Sequence, residues 1–191
     1  FRYKIHKEMI SLKKFFKIGC LGIIVIAVLL IIVAIVGGGE EESVSTGNTS
    51  ETKTTETQKA DDGTKTIDAS SQQVTAQGLK VGLGDIKIEE NEIQVGINVQ
   101  NTTEGVLQFY PDQGSAVIGD MQLDANMFLT DGDVSGEIQG GVKKEGVLEF
   151  LAPDGKTIDV NSVKEIKLIL GDVTTEDFMN SEDVSFTIPV E

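Results

Sequence analysis

The apolar positions of this chain fall into three successive patterns. Residues 18–36, IGCLGIIVIAVLLIIVAIV, are nineteen positions without a charge. At a rise of about 1.5 Å per residue, a helix of that length matches the ~30 Å hydrocarbon core of a bilayer. A helix apolar on every side offers no face to water, so the run predicts a single transmembrane span. Residues 37–78 reverse the pattern, with Val44, Ile67 and Val74 the only sizeable apolar side chains among Gly, Ser, Thr, Glu, Asp, Lys and Gln. Such a segment buries too little surface to offset its chain entropy. It is expected to be a disordered tether with an end-to-end distance of roughly 35 Å.

From Leu79 onward the apolar positions alternate. DIKIEENEIQVGINVQN puts Ile86 and Ile88, then Ile93, Val95, Ile97 and Val99, at every second position around an EENE turn, the pattern of a half-buried hairpin. Short apolar runs follow in VLQFY, SAVIG, MQLDANMFL, GVLEFLA, VKEIKLIL and VSFTIPV, separated by turn signals such as PDQG, DGD and LGD. TTEDFMN has the capping residue of a short helical turn at Thr174 or Thr175. Seven or eight strands in residues 79–191 predict an all-β, antiparallel β-sandwich. Its expected core is Ile86, Ile88, Ile93, Val95, Ile97, Val99, Leu107, Phe109, Val147, Leu148, Phe150, Ile166, Leu168, Leu170, Phe186 and Ile188.

Charge orients this layout. The net charge of −15 divides into +5 over residues 1–20, −5 over 37–78 and −15 over 79–191. Lysines before the apolar run and glutamates after it place residues 1–17 in the cytoplasm and the C-terminal body outside the cell. The expectation is therefore a single-pass protein of the plasma membrane, with residues 18–36 an uncleaved signal-anchor that has the lipid bilayer as partner. A cleaved signal is the alternative, with VGG at residues 36–38 as the peptidase site. Nearly all of the apolar run follows Cys20 and Lys17 stands three positions before it, the reverse of the order around a lipidated cysteine, which leaves it a small apolar filler. Met9 opens MISLKKFF, an ordinary start for a signal-anchor, and nothing functional is assigned to His6. An acidic body repels phosphate backbones, so no nucleic acid is expected as a partner.

Candidate chemistry in residues 79–191 is narrow. They contain no Cys, His, Arg or Trp. That removes an imidazole base, a thiol nucleophile, the Cys/His ligands of zinc and the guanidinium fork for anions. Carbohydrate platforms use exposed aromatics, and this segment offers only Tyr110 and five Phe, most at core-like positions. Carboxylates remain, and DGDVSGE holds the one cluster with a pattern. Asp131, Asp133 and Ser135 followed by Gly136 match the first half of a calcium loop, making calcium the one cofactor to consider. The twelfth position is Val142 rather than the closing Glu, and no helices flank the loop, so an acidic turn is the simpler reading.

The anchor LKKFFKIGCLGIIVI, the Ser/Thr/Glu tether and the terminal β-domain together resemble a family of telokin-like, immunoglobulin-like domains of unknown function. These occur in surface and secreted proteins of Gram-positive bacteria. Within the domain the resemblance rests on IQVGINVQNTTEGVLQF, similar to a family strand ending in an Asn-led turn, and on GEIQGGVKKEGVLEFLAPDG, similar to its Gly-rich turn, strand and Pro-containing turn. The family's turn begins Pro-Gly, and the Pro is missing here. The resemblance implies an immunoglobulin-like sandwich and a non-enzymatic module with no catalytic residues. The expected organisation is a cytoplasmic segment 1–17, a span 18–36, a linker 37–78 and a sandwich 79–191. The expected function is that of a membrane-anchored extracellular interaction or structural module, with an unknown protein or cell-wall component as ligand. A divalent-cation-stabilised surface domain is the second reading, and a hydrolase using carboxylates alone is the third.

Overall fold

The architecture is seen in a computed structural model that describes residues 44–47 and 63–191. The expected cytoplasmic segment 1–17, the expected span 18–36 and most of the expected linker lie outside the described residues. Among the described residues no helix is long and apolar enough to cross a membrane.

Alternation builds the longest strands. β1 (Lys65–Asp68) and β2 (Gln73–Ala76) precede β3 (Leu79–Ile88) and β4 (Glu92–Asn101). β4 buries Ile93, Val95, Ile97, Val99 and Asn101 and turns Gln94, Asn98 and Gln100 to the other face. It joins β3 through the predicted turn, where the Glu89 amide donates to the Glu92 carbonyl at 2.9 Å. β3 is bulged: its register is regular from Leu79 to Leu83 and again from Ile86, and between them Gly84 and Asp85 stand against Gly96 alone. The extra residue shifts the parity. Leu79, Val81 and Leu83 therefore reach the core from odd positions, Ile86 and Ile88 from even ones.

The remaining strands are β5 (Leu107–Phe109), β6 (Ser115–Ile118), β7 (Met121–Ala125), β8 (Asp131–Gly132), β9 (Gly136–Ile138), β10 (Lys143–Leu151), β11 (Glu165–Thr175) and β12 (Ser181–Pro189). Every pairing is antiparallel, and the order along the sheet is β1-β3-β4-β10-β7-β6-β11-β5-β9, with β12 on β11, β2 on β3 and β8 on β10. The result is a sandwich-like, sheet-rich fold whose only helical pieces among the described residues are two 3₁₀ turns, Pro111–Gln113 and Val160–Ser162. Every residue of the expected core is buried except Val147, which β10 turns to the outer face beside Gly96. Asn101 is the one buried polar side chain among the described residues. Its amide donates to the Gly105 and Ile138 carbonyls, each at 2.8 Å, and its oxygen accepts from the Thr103 amide at 2.9 Å and hydroxyl at 2.8 Å.

Two parts of the expected linker belong to the fold instead. Lys65–Asp68 and Gln73–Ala76 are β1 and β2, and both pair with the same edge of β3, β1 beyond the bulge and β2 before it. Each offers a single sizeable apolar residue, Ile67 or Val74, and each packs it against the core, so ladder bonds supply what composition lacks. Residues 44–47 also lie on the sandwich: the Asp85 amide donates to the Ser45 carbonyl at 2.8 Å, and Asn98 Nδ2 donates to the Thr46 carbonyl at 2.6 Å.

Candidate functional site

The calcium-loop candidates occupy the short β8 strand and the turn after it. β8 pairs with Gly146 and Val147 of β10, and Gly132 takes φ 80°, where a side chain would run into β10 backbone. Asp131 Oδ1 accepts the Gly132 amide at 2.9 Å. Asp133 is turned to a different partner, the Lys144 ammonium at 3.0 Å, which also donates to the Ser135 carbonyl at 3.3 Å. Lys144 thus places a fixed positive charge between two of the three candidates. The Ser135 hydroxyl is buried without a hydrogen-bond partner. Among the described residues no three His, Cys, Asp or Glu side chains come together as metal ligands do. Beside the turn lies an open depression of about 370 Å³ lined by Asp133, Lys143, Lys144 and Glu145, a surface of balanced charge.

The more pronounced feature precedes this turn. The apolar run MQLDANMFL divides: β7 ends at Ala125, and Met127, Phe128 and Leu129 stand exposed, Phe128 by 89 %. Asn126 fixes the loop. Its own amide donates to the Glu149 carbonyl of β10 at 2.8 Å, its side-chain oxygen accepts the Phe128 amide at 3.0 Å, and its carbonyl accepts the amides of Leu129 at 3.0 Å and Thr130 at 3.2 Å. An Asx turn of this kind satisfies the backbone locally and points the following side chains outward.

A second apolar tip closes the β11–β12 hairpin, where a helical turn was expected. The Thr175 hydroxyl donates to Asp177 Oδ1 at 2.7 Å and accepts the Asn180 amide at 3.3 Å, and the Met179 amide donates to Asp177 at 3.1 Å. Side-chain caps close a tight turn as readily as they open a helix, and here the strands on both sides decide. The Thr175 hydroxyl, with the Met179 amide, holds the Asp177 carboxyl below its ordinary range. Phe178 sits at φ 57°, a conformation bulky side chains rarely adopt, with 69 % of its surface exposed beside Met179 at 78 %. Phe128, Phe178 and the half-exposed Tyr110 correct the expectation that most aromatics are core. The sequence signals for both tips are Asn126, just ahead of three apolar residues, and Asp177, just ahead of two.

No protein-family model matches the sequence, and no curated protein matches it. Solved structures that this chain is similar to include three bacterial ones. One is a functionally unknown protein from Listeria monocytogenes EGD-e, at TM-score 0.45 and 13 % identity over 63 % of this chain and 82 % of that one. The second is the ycdA protein of Bacillus subtilis subsp. subtilis strain 168, at TM-score 0.41 and 16 % identity over 64 % of this chain and 39 % of the other. The third is the yjhA protein of Bacillus subtilis, at TM-score 0.41 and 10 % identity over 63 % and 96 %.

Proposed function

We propose that this chain is a membrane-anchored, extracellular, non-enzymatic interaction module. Its sandwich is of the immunoglobulin-like, telokin-like kind, and it contacts a protein or cell-wall partner through the loop around Phe128. The observation that carries this reading is the exposure of Phe128 between Met127 and Leu129 on a loop held by the hydrogen bonds of Asn126. Water-exposed apolar side chains on an ordered loop lose little entropy when a partner covers them, and a contiguous exposed apolar patch is a common mark of an interaction site. The anchor follows from residues 18–36 and their flanking charges.

The test is photo-crosslinking on intact cells, with full-length protein carrying a benzophenone residue at position 128 or, as a control, at exposed position 122 on β7. A discrete adduct at 128 that is absent at 122, and that disappears with Met127→Ser and Leu129→Ser, supports the reading. Adducts at neither position, or equal adducts at both, remove the loop from it. Protease shaving with membrane fractionation tests the anchor separately. Full-length protein retained in the membrane and trimmed from outside is expected, and a soluble mature form beginning near Gly39 overturns it.

A further inference from the structure

Residues 44–47 cross the outer face of the β3–β4 pair, and two facing positions beneath them, Gly84 and Gly96, have no side chain. A Cβ placed on Gly84 or Gly96 would fall deep inside contact with the Ser45 carbonyl. Its other nearest atoms would also belong to the crossing segment: Gly47 N and Thr46 C at 2.6 Å for Gly84, Ser45 C at 2.7 Å and Thr46 Cα at 3.2 Å for Gly96. Neither glycine has the positive φ that would demand one. Glycine weakens a strand, and where the backbone does not require it, the close approach of another chain is the physical reason left. The floor also supplies the bonds. The β3 bulge turns the Asp85 amide toward the Ser45 carbonyl, Asn98 Nδ2 reaches the Thr46 carbonyl, and the Thr46 hydroxyl donates to Glu145 at 3.4 Å. Two of these three bonds capture main-chain carbonyls, so the trough reads extended backbone rather than a particular side chain.

We infer that the Gly84–Gly96 trough is a docking site for an extended peptide, that its ligand is the chain's own segment 44–47, and that docking sets how far the domain stands from the membrane. The last part rests on the anchor reading. With the segment docked, the seven residues 37–43 separate the end of the expected span from the sandwich, and seven residues reach at most about 25 Å. Released, the connection runs through residues 37–64 to β1 and reaches at most about 95 Å. Only residues 48–62 separate the docked segment from the described fold, so redocking is intramolecular and favoured by a high effective concentration. A latch of three bonds is correspondingly easy to open.

The test uses the full-length protein in lipid nanodiscs with two readouts. The first is hydrogen exchange at the Asp85 amide. Gly96→Val is expected to speed it by about tenfold or more while the β4 amides keep their protection. Deleting residues 44–47, which leaves every strand intact, is expected to do the same and covers the case in which Gly96→Val disturbs folding. The second readout is energy transfer from a dye on a non-natural residue at position 154 to acceptor lipids, a placement that avoids Cys20. Transfer is expected to fall in both variants. Asp85 exchange that is already fast in the wild type, or that both variants leave unchanged, overturns the docking site. Faster exchange with unchanged, non-zero transfer overturns its effect on reach. Transfer absent from every sample, with Asp85 protection still lost in the variants, overturns the anchor and the reach together and supports the docking site alone.

Discussion

β3 and β11 each break their own alternation once, and they use glycine for opposite reasons. In β11 the register shifts between Ile169 and Asp172, and the parity of burial passes from Ile166, Leu168 and Leu170 to Val173. Gly171 takes φ 84° there with nothing within 4 Å of where a Cβ would sit, so the backbone requires glycine and the surroundings do not. In β3 the requirements are reversed: Gly84 and the facing Gly96 have ordinary backbone angles and no room. The bulge in β11 leaves Asp172 beside Asp183 in water, and the bulge in β3 gives its loosened amide to the crossing chain. A bulge alone makes a kink. It becomes a place to dock only where the neighbouring strand also gives up a side chain.

One frame holds both strands, and the largest effect is expected there. Asn101 links β4, which faces the first bulge, to β9 and to the loop leading into β5, which pairs with β11 beyond the second. Asn101→Ala strips four hydrogen bonds from a buried site and is expected to cost about 2–4 kcal/mol in chemical denaturation. A loss below 1 kcal/mol would mean that the two halves hold independently. Next, Gly171→Ala forces an alanine into the left-handed region and is expected to cost about 1–2 kcal/mol, with Gly171→Asn recovering part of it. A neutral alanine would show that the second bulge relaxes and that the contrast between the two glycines is false.

Smaller effects sharpen the same contrast. In a chain lacking residues 44–47, Gly96→Ala is expected to stabilise the sandwich by about 0.5–1 kcal/mol, because alanine suits a strand better than glycine does. In the intact chain the gain should shrink or reverse, and equal effects in the two backgrounds would break the contrast. The smallest effect belongs to Asp183, whose carboxyl is pushed above its ordinary value of 3.8 by the hydrogen bond its protonated form donates to the Asp172 carboxylate and by that neighbour's charge. A raised carboxyl takes up its proton more readily in the folded state, so the penalty is full at pH 7 and fades as the pH falls toward 3.8. Asp183→Asn is expected to raise the melting temperature slightly at pH 7 and to leave it unchanged near pH 4. A benefit independent of pH would place the strain elsewhere.

The hairpin of β3 and β4 is legible because its side chains alternate without interruption from Ile86 to Val99 around a polar turn. β1 and β2 are not, since KTID and QVTA each contain one sizeable apolar residue and owe their form to the edge of β3 they complete. A composition argument sums apolar surface and does not register ladder bonds. The docking trough was present as VGLGDI and QVGIN, where glycines interrupt strong strand patterns, a recognised sign of close backbone approach. Which chain approaches cannot be read from the glycines. The acidic turn at Asp131, Asp133 and Ser135 matched its motif by spacing, but spacing does not show that Lys144 from another strand reaches into it. Millimolar calcium is expected to leave the melting temperature where a chelator leaves it, and a clear rise would restore the metal reading.

The two short strands along the edge of β3 also divide the chain into stretches that a protease could and could not safely cut. A cut ahead of Lys65 would release a domain with β3 still covered on both sides of its bulge. A cut in residues 69–72, where the Ser70 hydroxyl and amide hold the Asp68 carboxylate, would free β1 to leave and bare the ladder groups of Asp85 through Ile88. An uncovered strand edge pairs with whatever edge it meets, including that of a second copy. In the anchored form proposed above, shedding from the cell and clumping on it are thus separated by a few residues of chain.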